Sequence, residues 1–159
     1  MDKKLVIMRG IQGCGKSSLA KELGKNGKIF STDGYFMRDG KYDFNINQLG
    51  IAHIWNRNRV EEAMKQNEPL IVVDNCNIKI KDFRNYLLLA KNYNYKVEFA
   101  EPNWSPELKT PEGKWNFDFI KGRNVHNVPD DVVKKVIDSF DYKDPNETDD
   151  DFVDRILKN

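Results

Sequence analysis

The sequence predicts an α/β fold, a three-layer sandwich in which a central, mostly parallel sheet lies between helices. Three observations lead there. Four short apolar, β-rich runs recur at residues 4–8, 28–31, 70–74 and 96–100, and a stretch of helix or loop separates each from the next. Parallel neighbours require such crossovers, whereas antiparallel strands can be joined by tight hairpins. The runs also end abruptly in polar residues, as in IVVDNCN at 71–77, which gathers polar groups at the carboxyl edge where open α/β sheets bind ligands. A chain of 159 residues is long enough for one such domain.

Taken in order, LVIM at 5–8 leads into GIQGCGKS at 10–17 and then into the helix-like SSLAKELGK. Strand, glycine-rich turn and helix start are the context of a phosphate-binding P-loop. Its glycines let main-chain N–H groups converge on anionic oxygens, and the helix N-terminus adds partial positive charge. Gly10, Gly13, Cys14, Gly15, Lys16, Ser17 and Ser18 are the candidate nucleotide contacts. Lys16 is placed to reach the β- and γ-phosphates, and the Ser17 hydroxyl to hold Mg²⁺. The expected ligand is ATP or another nucleoside triphosphate with Mg²⁺, and the sandwich is expected to be of the P-loop NTPase type. Cys14 and Cys76 should both lie near that nucleotide, so that modifying the Cys14 thiol would clash with phosphate.

The helix that follows ends at Gly24 and Gly27. The second strand, in IFSTDGYF, delivers Asp33 to the same rim. A carboxylate there can orient and deprotonate an acceptor hydroxyl opposite Lys16 and Mg²⁺. Arg38, close behind it, is a candidate for an anion on the acceptor. Residues 46–65 form a helix in which Leu49, Ala52, His53, Asn56, Val60, Ala63 and Met64 repeat near helical period. The third strand closes with Asp74, Asn75 and Asn77. Asp74 is a candidate for the metal, through water, or for the substrate, and Asn77 for the substrate, although Asx residues also end strands for turn chemistry alone.

A helix over 79–92 carries the basic run Lys79, Lys81 and Arg84 and precedes the fourth strand. EPNWSPELKTPEG at 101–113, with three prolines, reads as a loop. Helical pattern returns at 115–123, where Lys121 and Arg123 are candidate cations to swing over the phosphates, and a helical lid is expected at about 103–128. Pro129 suits a first helical position for a helix over 130–140. DPNETDDD reads as a mobile linker and FVDRILK as a short terminal helix. The division expected is a kinase domain at 1–140 and an acidic tail at 141–159.

Composition narrows the classes. Seven acidic and three basic residues from Asp141 onward give that tail −4, which leaves +5 on the body of a chain whose net charge is +1. A mildly basic body suits a polyanion or a solvated surface. Two cysteines make neither a disulfide framework nor a metal site, and two histidines, His53 and His126, read as structural. No apolar run is long enough for a membrane span and no segment resembles a signal peptide, so an intracellular, cytoplasmic or similar location is expected, without membrane partners.

MRGIQGCGKSSLAKEL, IFSTDGYF with RDGKYDFN, AHIWNRNRVEEAM, IVVDNCNI, and EP followed by KWNFDFIKGRNVHNVP occur in this order over residues 4 to 140. Together they resemble a P-loop kinase of the polynucleotide 5′-hydroxyl kinase type, and within it the small P-loop domain of proteins named for binding a Nedd-type ubiquitin ligase. The resemblance implies Lys16 and Ser17 on triphosphate and Mg²⁺, Asp33 as general base, Asp74 near the acceptor or the lid, and Arg123 as lid cation. Two departures stand out: Gly34 occupies a place where relatives often carry a second acidic residue, and Ser105 to Gly113 looks like an insertion before the lid. The function expected is transfer of the ATP γ-phosphate to a 5′-hydroxyl of RNA or DNA. Its alternatives are a kinase of a small molecule such as a nucleoside or nucleotide, and a nucleotide-binding interaction module without turnover.

Overall fold

The computed structural model describes residues 2–123 and 128–158; His126 and part of the expected lid lie outside the described residues. Strands β1 (Lys4–Met8), β2 (Lys28–Phe30), β5 (Leu70–Val73) and β6 (Lys96–Ala100) form one parallel sheet in the order β2-β5-β1-β6. Strands β3 (Met37–Arg38) and β4 (Lys41–Tyr42) form a separate small hairpin. β1 is central, and its successive side chains point to opposite faces that are both buried, as a covered parallel sheet demands.

Leu5, Ile7, Ile71, Val73 and Val97 meet helices α2 (Leu49–Lys65), α3 (Ile80–Tyr93) and α6 (Asp149–Leu157) in the principal core. Val6, Met8 and Val72 pack instead with Ala20 of α1 (Lys16–Leu23) on the other face. The sheet is therefore sandwiched between helices. On α2 the buried positions are Ala52, Asn56, Val60, Ala63 and Met64, which follow the helical period of the sequence.

A second core joins the P-loop to the C-terminal helices α4 (Phe117–Ile120) and α5 (Asp130–Ser139). Ile11 and Cys14 pack there with Leu108, Trp115, Ile120, Val133, Ile137 and Phe140. The helix expected over 115–123 is shorter, because Trp115 pairs with Lys109 in an antiparallel bridge and Lys121–Arg123 tightens into a 3₁₀ turn.

The stretch expected as a mobile acidic linker is tied down. The Thr148 hydroxyl accepts from the Asp151 N–H and caps α6, whose first turn holds Asp149, Asp150 and Asp151. Acidic side chains are favourable there, next to the positive end of the helix dipole. Asp149 accepts the Phe99 N–H at the end of the sheet, and Glu147 takes both Nε and Nη2 of Arg155 at 2.8 and 3.0 Å. Phe152 and Ile156 enter the principal core. An acidic run read alone looks solvated; here it is the start of an amphipathic helix.

Candidate active site

The chain leaves β1 through Arg9 and turns at Gly10, whose N–H donates to Cys76 O at 3.1 Å. A Cβ at Gly10 would stand 2.6 Å from Cys14 Sγ, so only glycine fits this approach. Gly15, with φ 88°, is the N-cap of α1, and no side chain among the described residues caps that helix. Its first turn, where Ser17 and Ser18 are exposed, is suited to an anion. Cys14 departs from expectation. Its side chain is fully buried in the second core, and burial pushes the thiol up to about 12. It is protonated and inert at neutral pH, so a part for Cys14 at the nucleotide rests on its main chain.

Lys16 Nζ donates to Asp74 Oδ1 at 2.5 Å, with both side chains only 13% exposed. Burial alone would lower the ammonium pKa, but the fields of Cys76 and Asp74 and this hydrogen bond outweigh it and the net direction is up. Asp74 is held in place by its N–H, which donates to Phe30 O at 2.8 Å across the β2–β5 edge. The Asp74 carboxylate and the exposed Ser17 hydroxyl are hard oxygen donors of the kind Mg²⁺ takes. Among the described residues no group of three or more His, Cys, Asp or Glu could hold a metal by itself.

Asn77, expected at the substrate, is buried and acts on the backbone. With φ 50°, it donates to Met8 O at 2.6 Å and Asn75 O at 3.2 Å. Beneath it lies a residue that sequence reasoning missed. Arg9, 2% exposed, donates to Asn77 O and Ile78 O at 2.8 and 2.9 Å and lies over the rings of Phe140 and Phe83. Burial lowers its pKa to about 10, still charged at neutral pH. It clamps the segment after β5 to the entrance of the P-loop. An arginine directly after an apolar strand, with no polar neighbour before it, was the available signal.

Asp33 is exposed at the start of a 3₁₀ turn, Thr32–Phe36, whose N-cap Ser31 accepts the Asp33 N–H at 3.2 Å. A buried polar platform fixes this turn. Thr32 N–H donates to Asn75 Oδ1 at 2.9 Å, and Thr32 Oγ1 lies 3.2 Å from His53 Nδ1. Arg59, with its guanidinium over Trp55, donates to Ser31 O and to Asn56 Oδ1, and Asn56 donates to Tyr86 Oη. Tyr42 Oη donates to Asp33 Oδ1 at 3.3 Å, and burial and the carboxylate together raise the phenol's pKa. Burial raises the pKa of the partly buried Cys76 thiol, which also feels the charges of Lys16, Asp33, Asp74 and Asp82.

Over the P-loop lies Trp104, which immediately precedes the apparent insertion at Ser105 to Gly113. Its indole Nε1 donates to Cys14 O at 2.8 Å and stands where a Cβ on Gly15 would come within 2.8 Å. Arg123 packs its guanidinium 4.5 Å from the Trp104 ring centre, and its main-chain oxygen approaches Gly13. Arg123, the expected lid cation, thus sits beside the glycine loop. Lys121 pairs at 3.7 Å with Asp118, away from that contact, and Lys79 is drawn to Asp141 at 3.7 Å. Arg38 lies on the hairpin and lines a cavity of about 440 Å³ with Asp43, Phe44, Asn45, Ile46 and Gln48.

The parallel sheet, the glycine loop with its lysine and the lid packed upon it define a P-loop kinase-like domain. The chain belongs to the family described as AAA domain, whose model matches residues 5–141. Human NEDD4-binding protein 2 is 35% identical over 139 residues, which cover 86% of this chain and 8% of that protein. The chain therefore spans about a twelfth of the length of this curated relative. A chain of the Pnkp1/Rnl/Hen1 complex matches 80% of this chain and 41% of its own length, with a TM-score of 0.58 and 15% identity. A gluconokinase from Sinorhizobium meliloti 1021 matches 90% of this chain and 77% of its own, with a TM-score of 0.51 and 14% identity. At these identities the two structures speak for the fold. No helix among the described residues is long and apolar enough to cross a membrane.

Proposed function

We propose that this chain is an ATP-dependent kinase that transfers the γ-phosphate to a 5′-hydroxyl of a polynucleotide. The observation that carries the reading is the openness of the acceptor side. Asp33 is exposed, and every residue from Met37 to Asn47 beyond it is exposed as well. A polymer end can approach such a rim, whereas a small-molecule kinase encloses its acceptor in a pocket.

Lys16 leaves Asp74 for the β- and γ-phosphates, and the main-chain N–H groups of Gly13 to Ser18 orient them. Asp33 accepts the proton of the attacking 5′-hydroxyl. The new P–O bond forms as the bond from the γ-phosphorus to the β,γ-bridging oxygen breaks, leaving ADP and a 5′-phosphate. Arg123 offsets the charge that spreads over the transferred group. Mg²⁺, held by Ser17 and through water by Asp74, supplies charge neutralisation when bound. The joint presence of Lys16, Asp33 and Arg123 supports turnover over mere binding, since a module that only held nucleotide could dispense with Asp33.

The test is incubation with γ-labelled ATP, Mg²⁺ and a panel of 5′-hydroxyl RNA, DNA and free nucleosides. Label on the oligonucleotides is the expected result. Label on nucleosides alone moves the reading to a small-molecule kinase, and no label on any acceptor moves it to a nucleotide-dependent binding module.

A further inference from the structure

Beyond Asp33 the surface carries large apolar side chains where a water-facing loop ordinarily carries polar ones. Met37, Tyr42, Phe44 and Ile46 are 50, 54, 47 and 66% exposed. Exposed apolar groups that cluster in this way mark binding surfaces. The cluster is built rigidly. The rings of Tyr42 and Phe44 lie nearly parallel, 14° apart with centres 6.3 Å apart. Beneath them Phe36, 1% exposed, meets both rings edge-on, at 6.2 and 5.0 Å. The Asp43 N–H between the two aromatics donates to Phe36 O at 2.8 Å. Two half-exposed rings are thus fixed in orientation by a buried third.

We propose that Tyr42 and Phe44 form a base-stacking platform for the 5′-terminal nucleotides of a single-stranded acceptor. This rests on the polynucleotide reading above and names how that polymer is held. Its position carries the argument. The hydroxyl of Tyr42 touches the carboxylate of Asp33, so a base seated on the platform has its sugar end beside the group that receives the 5′-hydroxyl proton. The cavity next to Phe44 is lined by Arg38, a cation for the phosphate that follows. Charge does not dominate the platform, because Arg38 and Lys41 are balanced by Asp39 and Asp43. Stacking is indifferent to base identity and weakly dependent on salt, whereas a purely basic groove binds in proportion to the phosphates it neutralises. The structure therefore favours an acceptor that is single-stranded at its end and recognised through its bases. A paired end would keep its bases stacked on one another and unavailable to the rings.

The experiment uses the full chain with Mg²⁺ and a non-hydrolysable ATP analogue. It measures anisotropy of a short single-stranded 5′-hydroxyl DNA labelled at its 3′ end. A matched probe lacks the base of its 5′-terminal nucleotide but keeps every phosphate. The wild-type protein should bind the abasic probe roughly five- to 150-fold more weakly than the intact one, the range expected for loss of one aromatic-stacked base. Phe44→Leu should bind the intact probe with the weakness of the abasic one and lose the discrimination. Tyr42→Phe, which keeps the ring, should retain it. In the transfer assay Phe44→Leu should raise KM for the oligonucleotide with little change in kcat. Equal binding of the two probes by the wild-type protein overturns the platform, and this arm needs no variant to fold. If the oligonucleotide is still phosphorylated in that case, the function stands and the face serves another partner, such as a protein. Absence of both binding and phosphorylation overturns the function itself.

Discussion

Lys16 Nζ sits 2.5 Å from Asp74 Oδ1, so the lysine expected on the phosphates is held by the carboxylate expected at the metal. The two groups neutralise each other in a partly buried site, where an unpaired charge would be costly. On the proposed reading, nucleotide binding exchanges this pair for two new ones, lysine with phosphate and carboxylate with hydrated Mg²⁺. Replacing Lys16 with Ala should therefore weaken ATP by roughly 10- to 150-fold, the loss of one hydrogen bond to a charged group. It should also leave Asp74 unpaired and lower stability. Calorimetry with ATP checks the first effect and a denaturant titration the second. Unchanged ATP affinity would remove Lys16 from the donor site.

The tail helix makes a separate prediction about the fold. Phe152 is fully buried and touches the rings of Phe99 and Phe83, with centres 4.9 and 6.1 Å apart. Truncation of such a side chain costs about 3–5 kcal/mol, from lost transfer energy and the cavity left behind. Phe152→Ala should show that loss in a urea titration, while the exposed Asp150→Ala, which loses only its interaction with the helix dipole, should cost less than about 1 kcal/mol. Equal and small effects of the two would place α6 outside the core.

A pH dependence follows from His53. Burial holds its imidazole below the ordinary value of 6.5, so the unfolded chain binds that proton more readily than the folded one. The contribution of this group is full above 6.5 and declines as pH falls from there through the folded value. Urea midpoints measured from about pH 7.5 to pH 5.5 should drop more for the wild type than for His53→Asn, which keeps a polar group near Thr32. Parallel curves would mean that His53 titrates alike in both states.

Much of the scaffold was legible because its signals are local. The four strands of the parallel sheet, the P-loop and the period of α2 each depend on neighbouring residues; the strands fall within a residue of the sequence boundaries, while α2 begins three residues later than expected, after a 3₁₀ turn at Ile46–Gln48. What escaped depends on residues distant in sequence. Arg9 is meaningful only against Asn77 and Ile78, nearly seventy positions away, and Trp104 only against Cys14 O. Asn56 was read as one step of an apolar stripe. It occupies that stripe, but as the polar link between Arg59 and Tyr86 beneath the Asp33 turn. Burial of the Cys14 thiol also depends on distant residues: the spacing of a glycine loop does not say which side chain turns inward toward Trp115 and Ile120. FVDRILK is read as a short terminal helix, but its acidic first turn, Asp149 to Asp151, looked like linker because charge density hid the helix start capped by Thr148.

The central claim is that Asp33 receives the proton of a polynucleotide 5′-hydroxyl on a rim shared with Lys16. The most direct test is the rate of label transfer from γ-labelled ATP to a 5′-hydroxyl oligonucleotide by Asp33→Asn and by the wild type, with ATP affinity measured in parallel. The account predicts nearly normal ATP binding in the variant and a transfer rate lower by roughly 10²- to 10⁴-fold, the usual effect of removing a general base. Wild-type transfer rates in Asp33→Asn would contradict it.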